Sequence, residues 1–147
     1  MTVYRMDHVG IVVEDLAAAI AFFQEVGLEL EGRTTVEGEW VDKLVALPGV
    51  RSDIAFLRTP DGHGRIELFH YRHPEAIETE PVEPNTIGMH RVAFAVDDIE
   101  AAVEIVRKHG GDVLRGIAQY EDIYRLTYVR GPEGILLMLA QELRKAD

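Results

Sequence analysis

Asp7-His8-Val9-Gly10-Ile11-Val12-Val13-Glu14-Asp15-Leu16 returns later in the chain as His90-Arg91-Val92-Ala93-Phe94-Ala95-Val96-Asp97-Asp98-Ile99, with Asp15 and Asp98 in register 83 residues apart. The echo continues at the same offset: Leu16, Ile20 and Phe23 match Ile99, Val103 and Val106, and Gly27 matches Gly110. Each copy reads as a short strand of alternating apolar residues and an aspartate placed to cap a helix. An apolar stripe at i, i+4, i+7 follows, then a glycine just past the helix end. A duplication of this kind is one supersecondary unit made twice.

Working outward, residues 5–13 form a strand with Val9, Ile11 and Val13 on one face and His8, Gly10 and Val12 on the other. The helix Leu16–Val26 buries its stripe against the bulkier face, so His8 belongs on the far side of the sheet. Strands are expected at 29–36, 53–58 and 65–70, the last two joined by the turn-rich Thr59-Pro60-Asp61-Gly62-His63-Gly64, with a short helical excursion between 37 and 50 around Trp40. The Pro- and Glu-rich stretch from Tyr71 to Gly88 reads as a linker. The second copy supplies a strand at 91–96, a helix at 99–109 and strands at 112–117, 124–129 and 135–140, with a loop at Tyr120-Glu121-Asp122 and a Gly131-Pro132-Glu133-Gly134 turn. The expected fold is α+β: one domain over residues 1–147, made of two βαβββ modules at about 5–71 and 88–143 with a linker at about 72–87. Curved sheets carry the helices on their convex faces and leave a concave face for a ligand.

Composition narrows the partners. With 26 acidic and 15 basic residues the formal net charge is −11, which disfavours nucleic acid and anionic membranes. The absence of cysteine rules out disulfides and thiolate chemistry. No apolar run approaches the length of a membrane span, and the N-terminus carries no signal-like core, so a cytoplasmic protein is expected.

The duplicated unit, the histidine early in the first strand, the Ile66-Glu67-Leu68 strand after a turn and the Gly-Pro-Glu-Gly turn before the last strand resemble the vicinal oxygen chelate superfamily over nearly the whole chain. That superfamily includes glyoxalase I, methylmalonyl-CoA epimerase, extradiol dioxygenases, and fosfomycin and bleomycin resistance proteins. The resemblance implies a fold more sharply than a reaction, because one scaffold supports several chemistries. It also implies a homodimer. Metal-binding members place four ligands at matched positions, which here are His8, Glu67, Arg91 and Met138. A guanidinium has no lone pair to give, and a thioether is a poor partner for hard cations. A divalent metal is therefore not expected, unless a bulge before Arg91 turns His90 inward beside His8 and Glu67, or Glu121 substitutes as a ligand.

Three readings compete. The first is a lyase- or isomerase-type enzyme that removes a proton next to a carbonyl, with Glu67 as base, His8 as acid or orienting group, and Arg91 both pairing with Glu67 and stabilising an oxyanion. The second is a binding protein that sequesters its ligand as bleomycin resistance proteins do, with Met138, Phe69 and Trp40 lining an apolar cavity. The third is a metal-dependent glyoxalase, epimerase or dioxygenase. Glu121, in the loop after Tyr120, is a candidate lid or pocket residue in each. Taken singly, His8 would pass for a structural histidine and Tyr120-Glu121-Asp122 for an acidic surface loop; Glu67 is the stronger signal, because a carboxylate in an apolar strand needs a partner or a task.

Overall fold

Asp15 caps a helix as its place in the repeat predicts: its Oδ1 accepts the backbone N–H of Ala18 at 2.9 Å. The computed structural model describes residues 2–143, which fall into two units divided between Glu78 and Thr79. In the first unit, β1 (Val9–Val12) leads into α1 (Leu16–Val26), then β2 (Glu29–Glu37), α2 (Glu39–Val45), β3 (Arg51–Arg58) and β4 (Arg65–His73). Gly27 closes α1 at φ +127°, a conformation that costs a side-chain-bearing residue strain, and its N–H returns to the Gln24 carbonyl at 3.1 Å.

The strands of this unit lie in the order β1-β4-β3-β2, with β1 parallel to β4 and the other pairs antiparallel. Ala55 pairs with Leu68 and Leu57 with Ile66, and all four are buried, as are Ala19, Ile20, Phe22 and Phe23 of α1, which packs on β3 and β4. Each buried Phe or Leu stabilises the unit by about 1.5–3 kcal/mol relative to leaving it in water. The opposite face of the sheet carries the residues of alternate parity: Gly10, Glu67 and Phe56 stand in one cross-strand row.

The expected excursion is α2. Asp42 holds its exit to β3, accepting the N–H of Gly49 at 3.1 Å and of Val50 at 2.7 Å. Strand β4 runs to His73, two residues into the expected linker, because β3 begins early enough to pair Ser52 with Tyr71 and Arg51 with His73. The ion pair of Arg72 with Asp53, at 2.6 Å, crosses the same extension.

The second unit contains β5 (Val92–Ala95), α3 (Ile99–Lys108), β6 (Asp112–Val113), β7 (Ala118–Tyr120), β8 (Tyr124–Arg130) and β9 (Leu136–Glu142). Asp98 repeats the cap of Asp15, accepting from the N–H of Ala101 at 3.1 Å. The order is β5-β9-β8-β6, with β5 parallel to β9 and β7 also paired to β8. Ile99, Ala102, Val103 and Val106 of α3 are buried, as are Thr127, Val129, Leu137 and Leu139 of β8 and β9, against which α3 lies. The strand expected at 112–117 is cut short to β6, and β7 follows beyond it. Gly116 at φ +148° breaks it, and its carbonyl leaves the ladder to accept the Thr127 hydroxyl at 3.0 Å. Gly111 is required by packing, since a Cβ there would collide with the Arg130 carbonyl. Among the described residues no helix is long and apolar enough to cross a membrane.

Candidate functional site

Strand parity determines what each sheet presents on its helix-free face. In the first unit the row Gly10–Glu67–Phe56 is joined by His8, two residues before Gly10, and by Arg65 and Phe69, two residues either side of Glu67. Glu67 is 9% exposed, between the buried Ile66 and Leu68. His8 Nε2 lies 3.6 Å from Glu67 Oε2, an ion-pair separation just beyond hydrogen-bond length. Burial pushes the Glu67 carboxyl above the ordinary carboxylate range; His8 and then Arg65 pull it down, while Asp7 adds to the rise.

The imidazole of His8 is held from several sides. Its Nδ1 is 2.8 Å from Asp7 Oδ2, and its ring meets the Phe56 ring edge-on at 5.6 Å between centroids. The Arg65 guanidinium covers Phe56 at 4.6 Å from the ring centroid, donates from Nε to Glu31 at 3.0 Å, and lies 3.9 Å from Asp7. Arg5 approaches Asp7 at 3.0 Å. The hydrogen bond to His8, followed by the charges of Arg5, His8 and Arg65, keeps the Asp7 carboxyl below its usual range. Phe69 stacks on Tyr71 at 5.5 Å and extends the aromatic part of the face.

Asp7, Phe56 and Arg65 were missed in reading the sequence, although Arg65 carries a legible signal, the same strand parity as Glu67. Phe56 has no such signal, because its place opposite Glu67 depends on the pairing of β3 with β4.

In the second unit the corresponding row is Ala93–Met138–Tyr128. Arg91 lies two residues before Ala93, and its guanidinium stands over the Tyr128 ring at 5.3 Å. Met138 is half-buried between Leu137 and Leu139, which turn to the helix side. Exposure alternates along the strand: Arg91, Ala93 and Ala95 are exposed, and His90, Val92, Phe94 and Val96 are less so. His90 thus has the parity opposite to Arg91, and its Nδ1 is buried with no hydrogen-bond partner among the described residues.

The remaining candidates stand apart from these rows. Trp40 is 60% exposed on α2, beside Leu44 at 72%. Glu121 sits at φ +51° in the tight turn between β7 and β8, where its carbonyl accepts from the Gln119 side chain at 2.9 Å. An open groove of about 510 Å³ in the first unit is lined by Glu14, His70, Tyr71, Arg72, Glu75 and Glu78, and it meets the Glu67 face only at Tyr71. The carboxylates of the groove, Glu14, Glu75 and Glu78, are exposed, whereas Glu67 is buried.

A metal fits the residues at the four matched positions poorly, each unit taken by itself. His8 and Glu67 offer an imidazole and a carboxylate, but Arg91 is permanently cationic and Met138 offers only a thioether. Among the described residues no three His, Asp or Glu side chains gather into a group able to hold a metal ion.

The profile of the glyoxalase/bleomycin resistance protein/dioxygenase superfamily matches residues 7–128. The crystal structure of a glyoxalase family protein from Bacillus cereus is similar at TM-score 0.93 and 48% identity, covering 98% of this chain and 97% of that one. The uncharacterized protein YwbC of Bacillus subtilis is 31% identical over 133 residues, 88% of this chain and 91% of its own length. The mitochondrial methylmalonyl-CoA epimerase of Mus musculus is 30% identical over 105 residues, 71% of this chain and 52% of its own. The fosfomycin resistance protein FosX of Listeria monocytogenes shares the fold at TM-score 0.62 and 16% identity, with 94% and 93% of the two chains covered.

Proposed function

The chain belongs to the glyoxalase/bleomycin resistance/dioxygenase superfamily, and from that premise we propose an isomerase- or lyase-type enzyme that removes a proton from carbon next to a carbonyl of a small molecule. The observation that carries this reading is Glu67: a carboxylate buried between Ile66 and Leu68, raised by that burial above the ordinary carboxylate range, and facing His8 at 3.6 Å.

In the forward step Glu67 takes the proton as the C–H bond breaks, and the electron pair moves onto the carbonyl oxygen to give an enolate. Arg91 is the cation assigned to the enolate or to a substrate carboxylate. Glu67 passes that proton to His8 Nε2, 3.6 Å away, and the imidazolium so formed returns it: to the opposite face of the same carbon for an epimer, or to a different atom for a rearranged isomer. The kinship with a protein named as a methylmalonyl-CoA epimerase supports this class, since an epimerase inverts one stereocentre. The donor set gives no basis for routing a step through a metal. The whole chain, with modules at about 5–71 and 88–143, is taken as one functional domain, working as a cytoplasmic homodimer.

The aromatic side chains Phe56, Phe69 and Tyr71 favour a second reading, a protein that binds and sequesters an apolar ligand without turnover. Incubation in deuterated water with a panel of 2-substituted acyl thioesters and 2-oxo acids, followed by proton NMR, separates the two. Loss of the substrate's α-proton signal with the unmodified protein but not with Glu67→Gln supports the enzyme. Saturable binding with no exchange across the panel supports sequestration.

A further inference from the structure

We infer that Asp7 is a positioning residue: it locks the neutral His8 imidazole in the tautomer with the proton on Nδ1, so that the bare Nε2 is the nitrogen presented to Glu67. Asp7 Oδ2 lies 2.8 Å from Nδ1, and a carboxylate can only accept, so Nδ1 must be the donor. Asp7 is held ionised by two cations, Arg5 at 3.0 Å and Arg65 at 3.9 Å. The lowered pKa of its carboxyl agrees. The imidazole meets the Phe56 ring edge-on, and turning it over would direct Nδ1 away from Asp7 and lose that bond.

The second unit supports the assignment by contrast. At the offset of 83 residues Asp7 corresponds to His90 and His8 to Arg91, so where the imidazole is replaced, the carboxylate beside it is also gone. A guanidinium has no tautomer to select.

The proposal rests on the reading of His8 and Glu67 as the working pair, but its test needs no turnover. Side-chain exposures of 34% for His8 and 53% for Asp7 let water compete for the bond, which makes the tautomer ratio the quantity to measure. Long-range nitrogen–proton NMR of the uniformly labelled protein, above the ordinary imidazole pKa of about 6.5, reads both ring nitrogens. His8→Gln identifies the signals. The expected result is a pyrrole-type Nδ1 and a pyridine-type Nε2, with the Nδ1–H form favoured by at least about tenfold, the ratio that about 1.4 kcal/mol supplies. In Asp7→Ala the preference falls to near parity or reverses, with the thermal midpoint unchanged within about 2 °C, because the carboxylate is exposed. Asp7→Glu restores part of it. An Nε2–H imidazole in the unmodified protein, or an Nδ1–H preference that survives Asp7→Ala, overturns the assignment. Neither result bears on whether Glu67 removes a substrate proton, which the exchange assay decides separately.

Discussion

The two helix-free faces have the same backbone plan and opposite chemistry. In the first unit the row Gly10–Glu67–Phe56 sits beside His8; in the second the row Ala93–Met138–Tyr128 sits beside Arg91. Each has an aromatic ring against the side chain two residues before the small one: Phe56 against His8 at 5.6 Å, and Tyr128 under Arg91 at 5.3 Å. The difference lies in what can exchange a proton. The first face has an imidazole and a buried carboxylate in contact, whereas the second has a fixed cation and a thioether that never titrate. On the proposed function, proton transfer falls to the first face and charge recognition to the second.

The sharpest break of this comparison comes from matched substitutions at the centres of the two rows. Glu67→Gln should lower α-proton exchange by about 10²–10⁴-fold, the usual worth of a general base. Met138→Leu, which conserves volume, should change it less than about threefold, measured in the same deuterium assay. Equal losses at the two positions would show that both faces take part in the chemistry alike.

The helix sides should differ less, and in stability alone. Phe23 and Val106 occupy equivalent stripe positions and are both fully buried. Phe23→Ala should cost about 3–5 kcal/mol and Val106→Ala about 2 kcal/mol, from urea unfolding. A larger cost at Val106 would mean that the second unit, not the first, limits the stability of the chain.

Arg91→Met tests the recognition half. Loss of a charge-assisted hydrogen bond, worth about 1.5–3 kcal/mol, should raise KM for carboxylate-bearing substrates by roughly 10- to 150-fold, while binding of neutral analogues changes little. A fall in kcat with KM unaltered would move Arg91 from holding the substrate to stabilising the transition state.

The smallest effect is on the pH dependence of stability. The carboxyl of Glu67 has a higher pKa in the folded protein than in the unfolded chain, so the folded state binds the extra proton. Its contribution is fully present below the unfolded value, about 4.3 for a free glutamate, and is lost as pH rises through the folded pKa. Glu67→Gln removes that loss. The variant's thermal midpoint should therefore exceed that of the unmodified protein near neutrality, with the gap closing in acid. A gap that widens in acid would mean that His8 and Arg65 outweigh burial.

What could be read from the chain alone was local and periodic. The caps at Asp15 and Asp98, the stripes of the two helices and the alternation that sets His8 against Val9 depend on the positions a side chain occupies within its own turn or strand. These carry over into three dimensions because neighbours in sequence enforce them. The break at Gly116 and the extension of β4 to His73 were not legible in this way: each depends on a partner strand, through the Thr127 hydroxyl in one case and the reach of β3 in the other. The same holds for the site. Glu67 could be singled out because a carboxylate between Ile66 and Leu68 is anomalous on its own strand, whereas Phe56 became its neighbour only through the register of β3 on β4. Asp7, adjacent to His8 in sequence, gained its meaning from the rotamer that brings its carboxylate to Nδ1 and from Arg65, which reaches it from another strand. Pattern determined which face each residue occupies; pairing register and side-chain rotamer, which are tertiary choices, decided what it touches there.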